Sequence, residues 1–302
     1  MEPAIRAAGM AKRFGAVAAL DGLSFQVVAG ELYGLVGPDA AGKTTAIRAL
    51  SGLLDLDAGE ARVMGLDPRG SGEVRELLGL LPQQYSLYRD LSVWENLQFF
   101  ARLYVLPRDV FRRRAERLLA ITRLERFVDR RADALSGGMY KKLALAAALL
   151  HEPRVLLLDE PTNGVDPVSR RELWALLHEF VQGGMAVLIS TPYMDEAERC
   201  DRVGLAYRGR LLQEGTPADL LAAFDEEAFE VFGGDRDKVE AVLSGLPEVR
   251  AVSPAGSRLR VDLSRGGRER ATLALAPLGA ELRPVAPSFE DLFLSRLLRE
   301  AS

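Results

Sequence analysis

The run Gly37-Pro38-Asp39-Ala40-Ala41-Gly42-Lys43-Thr44-Thr45 sets two glycines, a lysine and two hydroxyls at the spacing that wraps a polyphosphate. Glu31 to Val36 upstream predicts a buried strand, and the residues from Thr44 onward predict a helix. A loop between such elements aims backbone N–H groups and a helix dipole at one place, which suits an anion. Lys43 would bring a compact positive charge to the β- and γ-phosphates, and the Thr44 hydroxyl would coordinate magnesium. A second apolar run, Val155 to Leu158, predicts another buried parallel strand and ends in Asp159 and Glu160. There Asp159 would hold the cation through its water shell and Glu160 would polarise an attacking water. These two motifs leave many nucleotide-hydrolysing families open, kinases and helicases among them.

A third motif narrows the choice. Leu135-Ser136-Gly137-Gly138 precedes the helical pattern MYKKLALAAALL, and with it the chain resembles the ATP-binding cassette (ABC) family over about residues 4 to 225. The resemblance implies an α/β P-loop ATPase core with a mainly parallel sheet, an antiparallel β subdomain and a helical subdomain. It implies ATP and Mg2+ as ligands, a membrane subunit on another chain, and a second ATP-binding subunit whose nucleotide Ser136, Gly137 and Gly138 would cap. Phe14 matches the aromatic position that stacks on adenine. Gln83 matches the glutamine that contacts magnesium and senses the membrane partner, the Leu-Pro-Gln register favouring it over Gln84. Asp166 matches the aspartate through which two such subunits communicate, while Glu196 and Asp201 strengthen the match without adding derivable chemistry.

Departures from the family pattern carry their own expectations. Asp39 and Ala40 stand where asparagine and glycine are usual. At ~8 Å and an effective dielectric of ~20 the Asp39 charge costs on the order of 2 kcal/mol against a triphosphate, less if it faces water. Ala40 resists a positive φ, should the loop require one. Pro192 falls at the family's switch histidine and offers neither a side-chain donor nor an N–H, a loss worth ~100-fold to ~1000-fold in the chemical step by analogy with one transition-state donor. Tyr140-Lys141-Lys142 stands where glutamine and arginine are common. The resemblance implies a homo- or heterodimer; because Ser136 to Gly138 and Glu160 are retained, the pattern suggests an impaired site of its own and an intact cap for a partner, which points to the heterodimer. GPDAAGKTT with STPYMDEAERC looks most like the first ATPase half of tandem multidrug-exporter ATPases.

Composition sets the frame for these motifs. The chain has 302 residues, 48% of them hydrophobic, which supports one main domain and a smaller appendage. No apolar stretch approaches the ~18 residues of a membrane helix; Leu143 to Leu150 is among the longest. The N-terminus has no signal core, so the expected location is the cytoplasmic face of the cell membrane, bound to a separate membrane subunit. A single cysteine, Cys200, fits a reducing compartment, and it is read as structural together with His151 and His178. With 39 basic and 43 acidic residues nothing favours nucleic acid, and the clusters Arg112 to Arg114 and Arg130-Arg131 are read as solvated faces of a helical region.

The helical subdomain is expected at about residues 85–136, with Ser92 and Glu95 forming a capping box. Strand 155–158, helix Val168 to Gln182 and strand Ala186 to Ser190 imply a parallel crossover, and Val203 to Tyr207 with Arg210 to Gln213 a hairpin. The cassette is expected to span residues 1–225 and a small α+β appendage residues 226–302, with Ser264 to Arg270 read as a loop. The closing SFEDLFLSRLL resembles the ending of drug-exporter ATPases. Three functions are carried forward: the ATPase of an exporter, of multidrug type by the resemblance; a non-hydrolysing ATP-binding regulatory subunit; and, less favoured for want of tandem cassettes, a soluble non-transport cassette.

Overall fold

Alternation along β1 (Ile5–Phe14) turns Ile5, Ala7 and Met10 inward, and β2 (Val17–Val27) returns beside it through a tight turn at Gly15. With β4 (Ala58–Val63) on its other edge, β1 centres an antiparallel sheet of order β2-β1-β4. The next strand, β3 (Leu32–Val36), does not alternate; all five residues are buried, as expected of a parallel strand covered on both faces. It belongs to a six-stranded sheet of order β5-β6-β7-β3-β8-β9, with β5 (Leu78–Leu81), β6 (Val155–Asp159), β7 (Ala186–Thr191), β8 (Arg202–Tyr207) and β9 (Arg210–Gly215). The pairs from β5 through β8 are parallel. Phe25 of β2 stacks on Tyr33 of β3 at 5.1 Å between ring centroids, joining the two sheets in one core.

The structure is a computed structural model that describes residues 2–70, 72–84 and 86–301. Tyr85, where the helical subdomain is expected to begin, and the outer bounds Met1 and Ser302 of the two expected domains lie outside the described residues. Helix α1 (Lys43–Leu50) leaves the loop after β3, and the short α2 (Gly72–Leu77) precedes β5. Then come α3 (Val93–Leu103) and α4 (Arg108–Thr122); α3 opens on the Ser92/Glu95 capping box. Arg112 to Arg114 lie on α4, but Arg130-Arg131 correct the sequence reading: they sit in irregular chain between single turns at Glu125–Phe127 and Ala132–Ala134. The signature residues open α5 (Gly137–Leu149), and α6 (Pro167–Gln182) makes the crossover from β6 to β7.

The chain divides into two compact units between Glu214 and Gly215, so α7 (Pro217–Ala222) goes with the second. That unit runs β10 (Glu227–Phe232), α8 (Arg236–Ser244), β11 (Val249–Ala255), β12 (Arg258–Leu263), α9 (Arg268–Leu275), β13 (Glu281–Pro284) and α10 (Phe289–Ala301). Its antiparallel order β11-β12-β10-β13 on a strand-helix-strand-strand-helix-strand chain is the split βαβ arrangement, with Phe229, Val231, Val261 and Leu275 in its core. Helix α9 corrects the loop expected at Ser264 to Arg270: from Arg268 the chain is helical, because Ala271 and Leu275, four apart, both bury.

Candidate functional site

The loop between β3 and α1 is built around what its residues lack. A Cβ on Gly37 would stand 2.1 Å from the Ala206 carbonyl oxygen, so no other residue lets the chain leave β3 along this path. The loop does require a positive φ at position 40, and Ala40 supplies it at 63°, a conformation that costs an L-residue roughly 1–2 kcal/mol. Asp39 is exposed, which moderates its repulsion of an anion. Pro38 and Ala41 complete the turn, with the Ala41 N–H donating to the Pro38 carbonyl at 3.2 Å. The first bond of α1 runs from Ala46 N–H to the Gly42 carbonyl at 2.9 Å, and the helix has neither a side-chain cap nor an acid in its first turn. The amides from Gly42 to Thr45 thus point forward from a positive helix end, a setting that fits phosphate.

Lys43 lies buried inside this loop. Its ammonium donates to the carbonyls of Gly37 (2.7 Å) and Pro38 (2.9 Å) and stands 3.9 Å from Glu160 Oε1. Burial holds its pKa below the ordinary lysine range, while Glu160, Asp39 and Asp159 work in the opposite direction. Thr44 Oγ1, in the first turn of α1, donates to Asp159 Oδ1 at the end of β6 at 3.1 Å, although β3, which leads into α1, and β6 are not neighbours: β7 lies between them. Its Ser190 hydroxyl donates to the same Asp159 oxygen at 2.6 Å. Glu160 follows with φ at 48°, a strained setting pinned by its N–H donating to the Ser190 carbonyl (3.1 Å) and hydroxyl (3.2 Å). Gln83 Nε2 donates to Glu160 Oε2 at 2.7 Å and Asn163 Nδ2 to the same oxygen at 3.3 Å.

Lys43, Thr44, Asp159 and Glu160, singled out by their motifs, lie together, and Gln83, singled out by the resemblance, joins them. Ser190 and Asn163 were missed; their signal was position, one beside the switch segment and the other in the turn after Glu160. A hydroxyl, a carboxylate and an amide oxygen form a hard donor set that suits a small divalent cation.

The signature forms a second cluster. Ser136 caps α5, accepting from the Met139 N–H at 3.3 Å, and remains exposed with Gly137. A Cβ on Gly138 would meet Ser169 Oγ at 2.3 Å and Asp166 Oδ2 at 3.2 Å, so the signature sits directly on the start of α6. Asp166 caps that helix through the N–H groups of Val168 and Ser169, both at 3.0 Å, and the Ser169 hydroxyl first, then these N–H bonds, hold its carboxyl below the usual range. Phe14 stands apart at the β1–β2 turn, 52% exposed, with the Lys12 ammonium 5.9 Å from its ring.

Pro192 follows β7 in a segment held from one side. Fully buried Glu196 accepts the hydroxyls of Thr191 (2.6 Å) and Thr162 (3.1 Å); Arg170 lies 3.8 Å away and over the Tyr193 ring at 4.9 Å. Asp201 accepts the Leu32 N–H at 2.8 Å at the foot of β3. Both residues thus have a positional role that the sequence reading did not supply. Cys200 is buried, and His151 stacks on Tyr104 at 3.9 Å, where burial pushes its pKa down to about 4.

Comparison with known proteins bears on this arrangement. The family model described as ABC transporter matches residues 20–163. The chain is 44% identical over 229 residues to the probable multidrug ABC transporter ATP-binding protein YbhF of Escherichia coli (strain K12), an alignment covering 75% of this chain but only 40% of that protein. It is 37% identical over 295 residues to the daunorubicin resistance ATP-binding protein DrrA2 of Streptomyces coeruleorubidus, covering 97% of this chain and 91% of that one. Among solved structures, an ATP-binding subunit of an ABC transporter superposes with a TM-score of 0.66 at 30% identity, over 72% of this chain and 92% of the other. With its phosphate loop, acidic strand end and signature helix assembled as above, the chain belongs to the family of ABC transporter ATP-binding proteins.

Proposed function

We propose that this chain is the ATPase of an exporter of multidrug type, working at the cytoplasmic face of the cell membrane through a separate membrane subunit. The observation that carries the reading is the convergence of Lys43 and Gln83 on Glu160 at the mouth of the phosphate loop, one as an ion pair at 3.9 Å and the other as a hydrogen bond at 2.7 Å. Lys43 would exchange the Gly37 and Pro38 carbonyls for the β- and γ-phosphates of ATP, and Phe14 would stack on adenine. Thr44, Asp159 and Gln83 would hold Mg2+, which when bound neutralises charge on the phosphates. Glu160 accepts a proton from the attacking water, oriented by Gln83.

The cap at Ser136 to Gly138, exposed at Ser136 and Gly137, serves a second ATP-binding subunit, with Asp166 at the same seam. Among the described residues no helix is long and apolar enough to cross a membrane. A groove of about 730 Å3 lined by Phe100, Leu103, Tyr104, Val105 and His151 offers an apolar seat for a cytoplasmic segment of the membrane subunit. Multidrug cargo is supported by the name of YbhF, a probable multidrug ABC transporter protein, and that of DrrA2, a daunorubicin resistance protein.

A second reading, a regulatory subunit that binds ATP without hydrolysing it beside a competent partner, is favoured by Pro192 and by the strained Ala40. Steady-state ATPase and ATP binding of wild type, Glu160→Gln and Pro192→His separate the two. The motor reading expects measurable wild-type turnover that Glu160→Gln abolishes without loss of ATP binding. An impaired site expects Pro192→His to raise turnover tenfold or more, a barrier lower by at least ~1.4 kcal/mol. ATP binding with no turnover in wild type or Pro192→His selects the regulatory reading.

A further inference from the structure

We infer that Lys141 and Tyr140 are positioning residues for hydrolysis at this chain's own site, holding the segment that carries Gln83 against the signature helix and so fixing the amide of Gln83 on Glu160. This rests on the roles proposed above for Gln83 and Glu160.

Two consecutive side chains of α5 grip that segment at two points. The Lys141 ammonium donates to the main-chain carbonyl of Gln83 at 3.3 Å, and the Tyr140 hydroxyl accepts the N–H of Leu87 at 3.1 Å. Neighbouring positions on a helix diverge by about 100°, so adjacent residues reach two separate places on a strip of chain rather than one. Gln83, held there by its main-chain carbonyl, is also the residue whose side chain donates to Glu160 Oε2 at 2.7 Å. A path of single contacts therefore runs from α5, whose first turn is Ser136 to Gly138, through Lys141 and Gln83 to the carboxylate that activates water.

The rest of the setting agrees. Lys141 is half-buried and feels Asp159 and Glu160, whose charges oppose the downward pull of burial on its pKa. Its neighbour Lys142 is occupied elsewhere, bonded to Glu172 of α6, so α5 is fastened on one side to that helix and on another to the Gln83 segment. Helix α5 thus cannot tilt without carrying the Gln83 carbonyl along or breaking the Lys141 bond. A nucleotide seated at the exposed signature would in this way bias the orientation of Glu160 in the chain that offers the signature.

The test is ATPase kinetics of the full chain carrying Lys141→Met, Lys141→Arg, Tyr140→Phe, Gln83→Ala and the Lys141→Met/Gln83→Ala pair. Lys141→Met is expected to lower kcat ~10-fold with KM for ATP within ~2-fold, Lys141→Arg to recover most of it, and Tyr140→Phe to lower kcat ~3-fold. In the Gln83→Ala background Lys141→Met should change kcat by less than ~2-fold, because its effect passes through the missing amide. An unchanged kcat in Lys141→Met, or a full further drop in that background, overturns the inference. An unchanged kcat in Gln83→Ala overturns instead the role proposed for Gln83, and so tells the two failures apart.

Discussion

The Thr191 hydroxyl donates at 2.6 Å to the carboxylate of Glu196, a fully buried acid that also receives the Thr162 hydroxyl. Thr162 lies just beyond Glu160 and Thr191 just before Pro192, so one carboxylate ties the segment of the catalytic acid to the segment of the switch position. Glu196→Ala would leave two buried hydroxyls and the Arg170 guanidinium without this partner. Each orphaned group costs about 1–3 kcal/mol, so a loss of roughly 3–5 kcal/mol is expected. Urea titration followed by tryptophan fluorescence checks it; a loss under about 1 kcal/mol would mean the bridge does not hold the turn.

Ala40 pays a left-handed backbone that glycine adopts freely. Ala40→Gly is expected to stabilise the first unit by about 0.5–1 kcal/mol, the relief of strain exceeding the extra freedom given to the unfolded chain. Thermal unfolding with and without ATP is the measurement. A lowered midpoint would show that this φ is not strained in solution.

Phe14 is exposed and carries little of the core, so Phe14→Ala should leave stability within about 0.5 kcal/mol. If the ring meets adenine, affinity for ATP should fall about 10-fold, in line with roughly 1–3 kcal/mol per stacked base. Equilibrium binding of ATP against inorganic triphosphate isolates the base: the triphosphate should bind both proteins alike.

The second unit has its own pH response. Asp262 is buried; burial, then the charges of Asp291 and Glu226, push its carboxyl up to about 7, with Arg260 pulling the other way. Against an unfolded value of about 3.9 the folded state keeps a proton that the unfolded chain has released. The contribution is full below about pH 4 and is lost as pH rises through about 7. Asp262→Asn should flatten that slope. Hydrogen exchange of the β12 amides at pH 5 and pH 8 reads it, and equal slopes in both proteins would exclude Asp262 as the source.

What the sequence made legible was local. The phosphate loop, the acidic strand end, the capping box of α3 and the start of α5 each depend on residues within a few positions of one another, and each was readable from spacing. The order of the sheets was not, since β3 meets β7 and β10 meets both β12 and β13 through pairings that no local pattern encodes. Helix α9 had a readable signal in the four-residue spacing of Ala271 and Leu275, masked by Gly266-Gly267 just before it. Glu196, Ser190 and Lys141 escaped because their partners are remote or main-chain atoms, and a sequence does not advertise which carbonyl a lysine will find.

Strand β7 lies between β3 and β6, with Thr191 beside Val36 and Ser190 beside Asp159. A growing polypeptide therefore has its phosphate loop and its acidic strand end long before it has the spacer that sets them at the right distance. The Thr44–Asp159 bond bridges 115 positions and waits for residues made later still. The site is whole only once the chain has been synthesised past Thr191, so nucleotide would stabilise only chains of that length or more. The strand order thus sets the length that a nascent chain must reach before its two motifs can share one ligand.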